Sequence, residues 1–275
     1  MKVKIAVVQF EINQYNPDKN LNKAERFIAK ASESKADIIV FPEDFLSGGL
    51  NDDEIVKLAD SEGKYRKIFQ ALAKKYKINI VPGSIIEKES LGYYNITYYI
   101  DSKGDVKGQY KKINLWHPEK SYINRGSEIS VFNTKFGKIG LIICWDLMFP
   151  EIFRKMLRKG VNIVICPSYW TFEDASIGLK WDKNSDPNLV DSLCVGRAFE
   201  NEIILVYANA VGKLTLPNFE GTLFGHSQIT TPFIGAVNKL NHQKEEMFIQ
   251  EVDTNILKDA ERAYKIRYDI KNRLL

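Results

Sequence analysis

Lys138-Ile139-Gly140-Leu141-Ile142-Ile143-Cys144-Trp145-Asp146-Leu147-Met148-Phe149-Pro150-Glu151 changes character in its middle. Its first half is apolar without alternation, the pattern of a strand buried on both faces, and Pro150-Glu151 is the signature of a helix's first turn. Cys144 therefore falls where a strand stops and a helix starts, presented at the end of a sheet. Unpaired backbone N–H groups in such a turn, with any cation nearby, favour thiolate over thiol and can cradle a developing oxyanion. Taken alone, though, Cys144 reads better as one more small buried apolar residue, as most free cysteines are.

Working outward, strand patterns are predicted over 3–9, 37–41, 78–81, 94–100, 139–143, 161–166, 203–208 and 227–230. Helix patterns lie between them. Asn16-Pro17 can cap a helix whose Leu21, Ala24, Phe27, Ile28 and Ala31 share one face. Tyr65, Ile68, Phe69, Leu72 and Tyr76 form a second stripe, Pro150 to Lys159 closed by Gly160 a third helix, and Pro187 opens a fourth with Leu189, Val190, Leu193 and Cys194 inward. Strands alternating with helices mean an α/β fold. The stretch from Ala36 to Glu43 echoes that from Val161 to Ser168, each following a helix and ending near proline. Two such halves fit two sheets face to face between helix layers, while a single doubly wound sheet stays open on these grounds. No linker rich in Gly, Pro or Ser interrupts the chain, so residues 1–275 are read as one domain, with 253–275 as a C-terminal arm.

Composition narrows the function classes. The 39 basic and 35 acidic residues leave a net charge of +4 that is spread rather than blocked. Lys265, Arg267, Lys271 and Arg273 cluster without an aromatic platform and read as a solvated helix face, so no nucleic-acid partner is expected. Three cysteines without C-x-x-C spacing suggest neither a disulfide framework nor a zinc site and fit a reducing cytoplasm. No run approaches membrane-spanning length, and 1–10 lacks the features of a signal peptide.

Two other strand ends carry candidate chemistry. Phe41-Pro42-Glu43 places a carboxylate just after a buried strand, where burial raises its proton affinity and suits it to general-base work. Tyr110-Lys111-Lys112 precedes Trp116-His117-Pro118-Glu119. Individually, Glu43 is an ordinary loop acid and Lys112 an ordinary surface charge.

As an ordered set they resemble the nitrilase superfamily of carbon-nitrogen hydrolases: F-P-E, then Y-K-K-x-x-L with a following P-E-K-x-Y, then a strand ending C-W-D-x-x-F-P-E. The resemblance continues through Arg197-Ala198-Phe199-Glu200-Asn201, Asn209-Ala210-Val211-Gly212 and Gly225-His226-Ser227-Gln228-Ile229. It implies a four-layer α-β-β-α sandwich, two mixed sheets face to face with helices outside. It also implies a catalytic set in which Glu43 is the base, Lys112 the cation, Cys144 the nucleophile and Glu119 a second acid, with no metal or organic cofactor. Asn114 stands where many members have His, and Arg125-Gly126 where many have Pro-Gly, which leaves the loop bearing Glu119 least secured. A homodimer or larger assembly is implied as well, with the 253–275 arm able to reach across.

The expected activity is cleavage of a small amide or N-carbamoyl compound through a cysteine thioester, with a nitrile as alternative substrate; C-W-D leans toward the amidase side. The stretch from Trp170 to Asp182 reads either as a lid or as a surface loop with two buried tryptophans. Trp145, Trp170 and Glu173 are candidate substrate contacts. A Cys-His pair using His117, and a silent binding protein on the same scaffold, are the rival readings.

Overall fold

The computed structural model describes residues 1–50, 52–216 and 219–272; Arg273 and the end of the arm, 273–275, lie outside them. One sheet is built from β1 (Lys2–Gln9), β2 (Ile38–Val40), β3 (Asn79–Val81), β4 (Ile85–Glu89), β5 (Gly92–Ile100), β6 (Val106–Lys111) and a strand near the C-terminus, β15 (Glu246–Asp253). A second contains β7 (Ser130–Thr134), β8 (Gly137–Leu141), β9 (Ile163–Ser168), β10 (Ile204–Asn209), β13 (Gln228–Thr231) and β14 (Gly235–Lys239), while β11 (Val211–Leu216) and β12 (Phe219–Phe224) form a separate hairpin. The orders are β15-β1-β2-β3-β5-β4, with β6 on β5, and β14-β13-β10-β9-β8-β7. Both sheets are mixed: β1, β2 and β3 run parallel, as do β8, β9 and β10, with antiparallel strands outside them.

Alternate side chains show why the central strands carry no polar face. Val3, Ile5, Val7, Ile38 and Val40 pack into a core shared with Ile139, Leu141, Ile163 and Val206 of the other sheet, whereas Ala6, Val8, Ile39 and Phe41 meet Ala24, Ile28 and Phe69 of helices α1 (Pro17–Glu33) and, beyond a short α2 (Asp52–Leu58), α3 (Lys64–Tyr76). A strand with apolar layers on both faces gains by burying every side chain, so the period-2 signal vanishes. The second sheet is likewise covered by α4 (Pro150–Arg158) and α5 (Ser185–Asn201) through Ile152, Phe153, Met156, Val190 and Cys194. The layers therefore run helix, sheet, sheet, helix, as the resemblance implied, and the single doubly wound sheet is not formed.

Local chemistry agrees with the expected helix ends. Asn16 Oδ1 accepts the Lys19 N–H at 3.1 Å at the start of α1, and Gly160, at φ +80°, closes α4. α5 begins at Ser185, two residues before the expected Pro187, because the first helical turn tolerates proline at any of its leading positions. The strands not foreseen are mostly edges and hairpins, β4, β6, β7, β11, β12, β14 and β15, where polar outward faces break up the apolar runs.

The arm comprises α6 (Asn255–Tyr264) and α7 (Ile266–Asn272). Lys265 and Lys271 are exposed, but Arg267 does not belong to a solvated face: its Nη2 donates to Val161 O at 2.8 Å and Glu202 O at 2.7 Å. These bonds dock α7 on its own chain. No helix among the described residues is long and apolar enough to cross a membrane.

Candidate active site

The two echoing segments meet at their C-terminal tips. Glu43 N donates to Ser168 O at 3.2 Å, joining the end of β2 in one sheet to the end of β9 in the other. Gly83, at φ +61°, passes close to the residue before Glu43; a Cβ there would lie 1.8 Å from Pro42 O. Lys112 follows β6, its N–H donating to Asn95 O at 2.9 Å and its carbonyl accepting from Gly126 N at 2.8 Å. Gly126 is also required sterically, since a Cβ would stand 2.3 Å from Lys111 O. Lys111 points elsewhere and pairs with Glu89 at 2.6 Å.

Cys144 opens a 3₁₀ turn, Cys144–Met148, at φ +47°. That left-handed backbone is costly for a residue with a side chain and persists because its surroundings hold it. The chief restraint is Asp146, fully buried, whose carboxylate accepts from Ile143 N at 3.0 Å, Tyr110 Oη at 2.7 Å, Asn114 N at 2.9 Å and Asn114 Nδ2 at 2.8 Å. One acid thus ties the turn that carries Cys144 to the chain on either side of Lys112. Asn114 supplies two of those four donors.

Lys112 Nζ lies 2.9 Å from Glu43 Oε1 and 2.8 Å from the Glu119 carboxylate. Glu119, in the short 3₁₀ turn Pro118–Ser121, also accepts the Trp116 N–H at 2.7 Å. Asn95 Nδ2 donates to Glu43 Oε1 at 2.8 Å. Cys144 lines the same cavity as Glu43 and Lys112, and its Sγ stands 4.0 Å from Tyr169 O. Glu43, Lys112, Cys144 and Glu119 are therefore brought together.

Burial dominates the electrostatics. It lifts the Glu43 carboxyl to about 7, against the pull of the Lys112 ammonium. Burial acts on Lys112 in the opposite sense, but the Glu119 and Glu43 carboxylates outweigh it and hold the ammonium well above the ordinary lysine range. Burial and the Glu43 charge push Cys144 well above the usual thiol value, more than Lys112 pulls it down. These effects favour the thiol at rest, against the pull toward thiolate of the turn N–H groups and the nearby ammonium, and set it beside the Glu43 carboxyl.

A cavity of about 370 Å³ opens above these groups. Trp145 and Trp170 line it with ring centroids 5.5 Å apart, and Trp116 stands 4.3 Å from Trp145. Leu214, Leu216 and Phe219 of the β11–β12 hairpin contribute another wall. Trp145, Trp170 and Glu173, the candidate substrate contacts, all line the cavity, but Trp181 is 91% exposed, so the pair of buried tryptophans is not formed. Glu173–Lys180 is a kinked 3₁₀ segment, with Ser176 at φ 48° and ψ −114°, and Glu173, Asp174 and Ser176 face the cavity.

No histidine lines this cavity among the described residues. His117 is exposed, His226 pairs with Asp191 at 3.1 Å and His242 with Glu246 at 3.1 Å, so the Cys-His arrangement is absent there. Sequence reasoning missed Asn95, a buried polar residue in an aromatic strand, and missed Asp44 and Asp174, which line the cavity. It noted Asp146 only as part of C-W-D; the signal available was a lone acid within an apolar run. No cluster of three or more His, Cys, Asp or Glu suited to a metal ion occurs among the described residues.

The chain is similar to known proteins over nearly its whole length. The sequence model of the carbon-nitrogen hydrolase family matches residues 4–262. A probable nitrilase of Schizosaccharomyces pombe is 33% identical over 271 residues, 96% of this chain and 93% of that protein. A 2-oxoglutaramate amidase of Bacillus subtilis is 30% identical over 277 residues, covering 100% of both chains. A carbon-nitrogen hydrolase structure from Helicobacter pylori G27 superposes with a TM-score of 0.90 over 100% of this chain and 96% of that one, at 24% identity.

Proposed function

The chain belongs to the carbon-nitrogen hydrolase family, and on that premise we propose that it hydrolyses a small amide or N-carbamoyl compound through a thioester on Cys144. The observation that carries this reading is the meeting of Glu43, Lys112 and Cys144 beneath one cavity.

Glu43 takes the thiol proton as Cys144 Sγ attacks the carbonyl carbon. The Lys112 ammonium and the Trp145 N–H, which sits at the start of a 3₁₀ turn where such groups lack helical partners, hold the oxyanion. The tetrahedral adduct collapses, the C–N bond breaks, and the proton passes from Glu43 to the departing nitrogen. A water then gives its proton to Glu43 and attacks the thioester; the C–S bond breaks and sulfur recovers that proton. Glu119 orients Lys112 and balances its charge. Proton affinity near neutrality is what a carboxylate needs to accept and donate in turn.

A nitrile is the second reading, supported by the names of the relatives in Schizosaccharomyces pombe, a probable nitrilase, and in Pyrococcus abyssi, a nitrilase. Against it stand relatives named 2-oxoglutaramate amidase, N-carbamoylputrescine amidase and citrullinase. A homo-oligomer built on the helices flanking the cavity remains part of this reading. An ammonia-release screen over amides, N-carbamoyl amines and nitriles tests it, with quenched-flow mass spectrometry for an acylated Cys144. Unimpaired turnover by Cys144→Ala would overturn it.

A further inference from the structure

Lys112 is the one cation lining the cavity among the described residues, and it is already shared between Glu43 and Glu119. Beyond that group the charged lining is all acidic: Asp44, Glu173 and Asp174. Glu173 and Asp174 are held in place by backbone. Glu173 Oε2 accepts the Thr222 N–H at 2.6 Å, and Asp174 Oδ2 accepts the Thr171 N–H at 2.8 Å while Thr171 Oγ1 accepts the Asp174 N–H at 3.1 Å. These bonds fix each carboxylate through one oxygen. The chain reaches them directly from Tyr169, whose carbonyl stands beside Cys144 Sγ.

We infer that the cavity selects substrates by charge, and that Glu173 and Asp174 receive a cationic amine at the end of the substrate remote from the scissile C–N bond. The inference rests on the hydrolase reading above and narrows its substrate class to amides or N-carbamoyl amines bearing a distal ammonium. A distal carboxylate would meet two acids in a partly dry pocket with no cation to answer them, and like charges repel most where water is scarce. An ammonium meets those acids in a cavity also lined by the indoles of Trp116 and Trp145, a ring type that attracts cations through its quadrupole. Burial also lifts Asp174 to about 6, so it is ionised at neutral pH yet poorly compensated, a condition a bound cation relieves.

Binding and turnover separate the two readings. The probes are three primary amides of one chain length, ending in an ammonium, a methyl or a carboxylate, together with the corresponding N-carbamoyl amines. Calorimetry on the Cys144→Ala protein at pH 7.5 measures binding; ammonia release by the native protein measures turnover. The ammonium-ended probe is expected to bind about tenfold or more tightly than the methyl-ended one, with the carboxylate-ended probe weakest. Asp174→Asn, which keeps an acceptor for the Thr171 amide, and Glu173→Gln should each shrink the ammonium-to-methyl ratio, and together bring it close to one. Equal or tighter binding of the carboxylate-ended probe, or a ratio unmoved by both substitutions, overturns the charge selection while leaving hydrolysis intact. The expected binding order without turnover of any probe upholds the charge selection and overturns the hydrolase reading.

Discussion

Lys112 Nζ lies 2.9 Å from Glu43 Oε1, and each of these side chains retains 2% of its exposure. Two opposite charges removed from water at that distance can persist only as members of a satisfied cluster, because each alone would carry a desolvation cost of several kcal/mol. Glu119 and Asn95 complete that cluster. It sets a carboxyl group of near-neutral proton affinity, that of Glu43, beside the Cys144 sulfur.

The pH dependence follows from Glu43. Below about 7 its carboxyl is protonated and cannot accept the thiol proton; above that value it can. The kcat/KM profile should therefore rise with pH through an apparent pKa near 7, and Glu43→Gln should lower turnover by roughly 10²–10⁴-fold and abolish the limb. A limb centred at the ordinary carboxylate value of 4.5 would contradict this. For stability the sign is reversed. The folded state holds this proton more tightly than the unfolded chain, so the contribution is fully present below 4.5 and lost as pH rises through about 7. Denaturant unfolding across that window should show the loss in the native protein.

Alkylation reports the state of the sulfur. Since the resting Cys144 proton is held well above the usual thiol range, iodoacetamide labelling at neutral pH should depend on Glu43 accepting that proton. The rate should climb through pH 7 and drop in Glu43→Gln. Peptide mapping of the modified cysteine checks it; a rate that rises only above pH 9, unaffected by Glu43, would refute it.

Removing the ammonium leaves two acids facing each other in a dry site. Lys112→Ala should lower stability by roughly 3–5 kcal/mol at pH 8, with the deficit shrinking as the pH falls and the carboxylates take protons. Unfolding curves at pH 5 and pH 8 decide the matter. A deficit equal at both pH values would mean the lost lysine stem, rather than charge, is responsible.

Asp146 couples the Cys144 turn to the Lys112 strand end through its four hydrogen bonds. Tyr110→Phe deletes one of them and should cost about 1–2 kcal/mol, lowering kcat more than it raises KM. Asp146→Ala strands buried donors on three segments and should cost more. Steady-state kinetics beside thermal unfolding would show whether kcat moves as expected.

At Gly83 the backbone is left-handed and a Cβ would overlap Pro42 O. Gly83→Ala should destabilise the fold by roughly 1–3 kcal/mol and displace Glu43, so activity should fall further than the lost folded fraction accounts for. Comparing active-site titration with the unfolding midpoint separates the two effects.

Much of the fold was legible in the linear chain because its central strands are buried twice over. Continuous apolar runs at Ile5–Val8 and Ile163–Cys166 have few alternatives once helices with clear stripes separate them. Edge strands such as β7 and β14 were not, since an outward polar face makes a strand resemble a loop. The candidate residues Glu43, Lys112, Cys144 and Glu119 were legible only as an ordered pattern; none declares itself singly.

The amino-acid order by itself determined the central strands and the main helices, because periodicity, helix caps and turn residues act over a few neighbours; the layering and the candidate groups were legible only through the ordered resemblance to a family. Tertiary structure alone decided that sulfur rests as a thiol, that Asn95 and Asp146 hold the site together, that Arg267 turns inward, and that Asp174 faces the cavity. Proton affinity and charge pairing depend on how much water remains and on which distant groups lie within a few ångströms, and no local spacing along the chain encodes either.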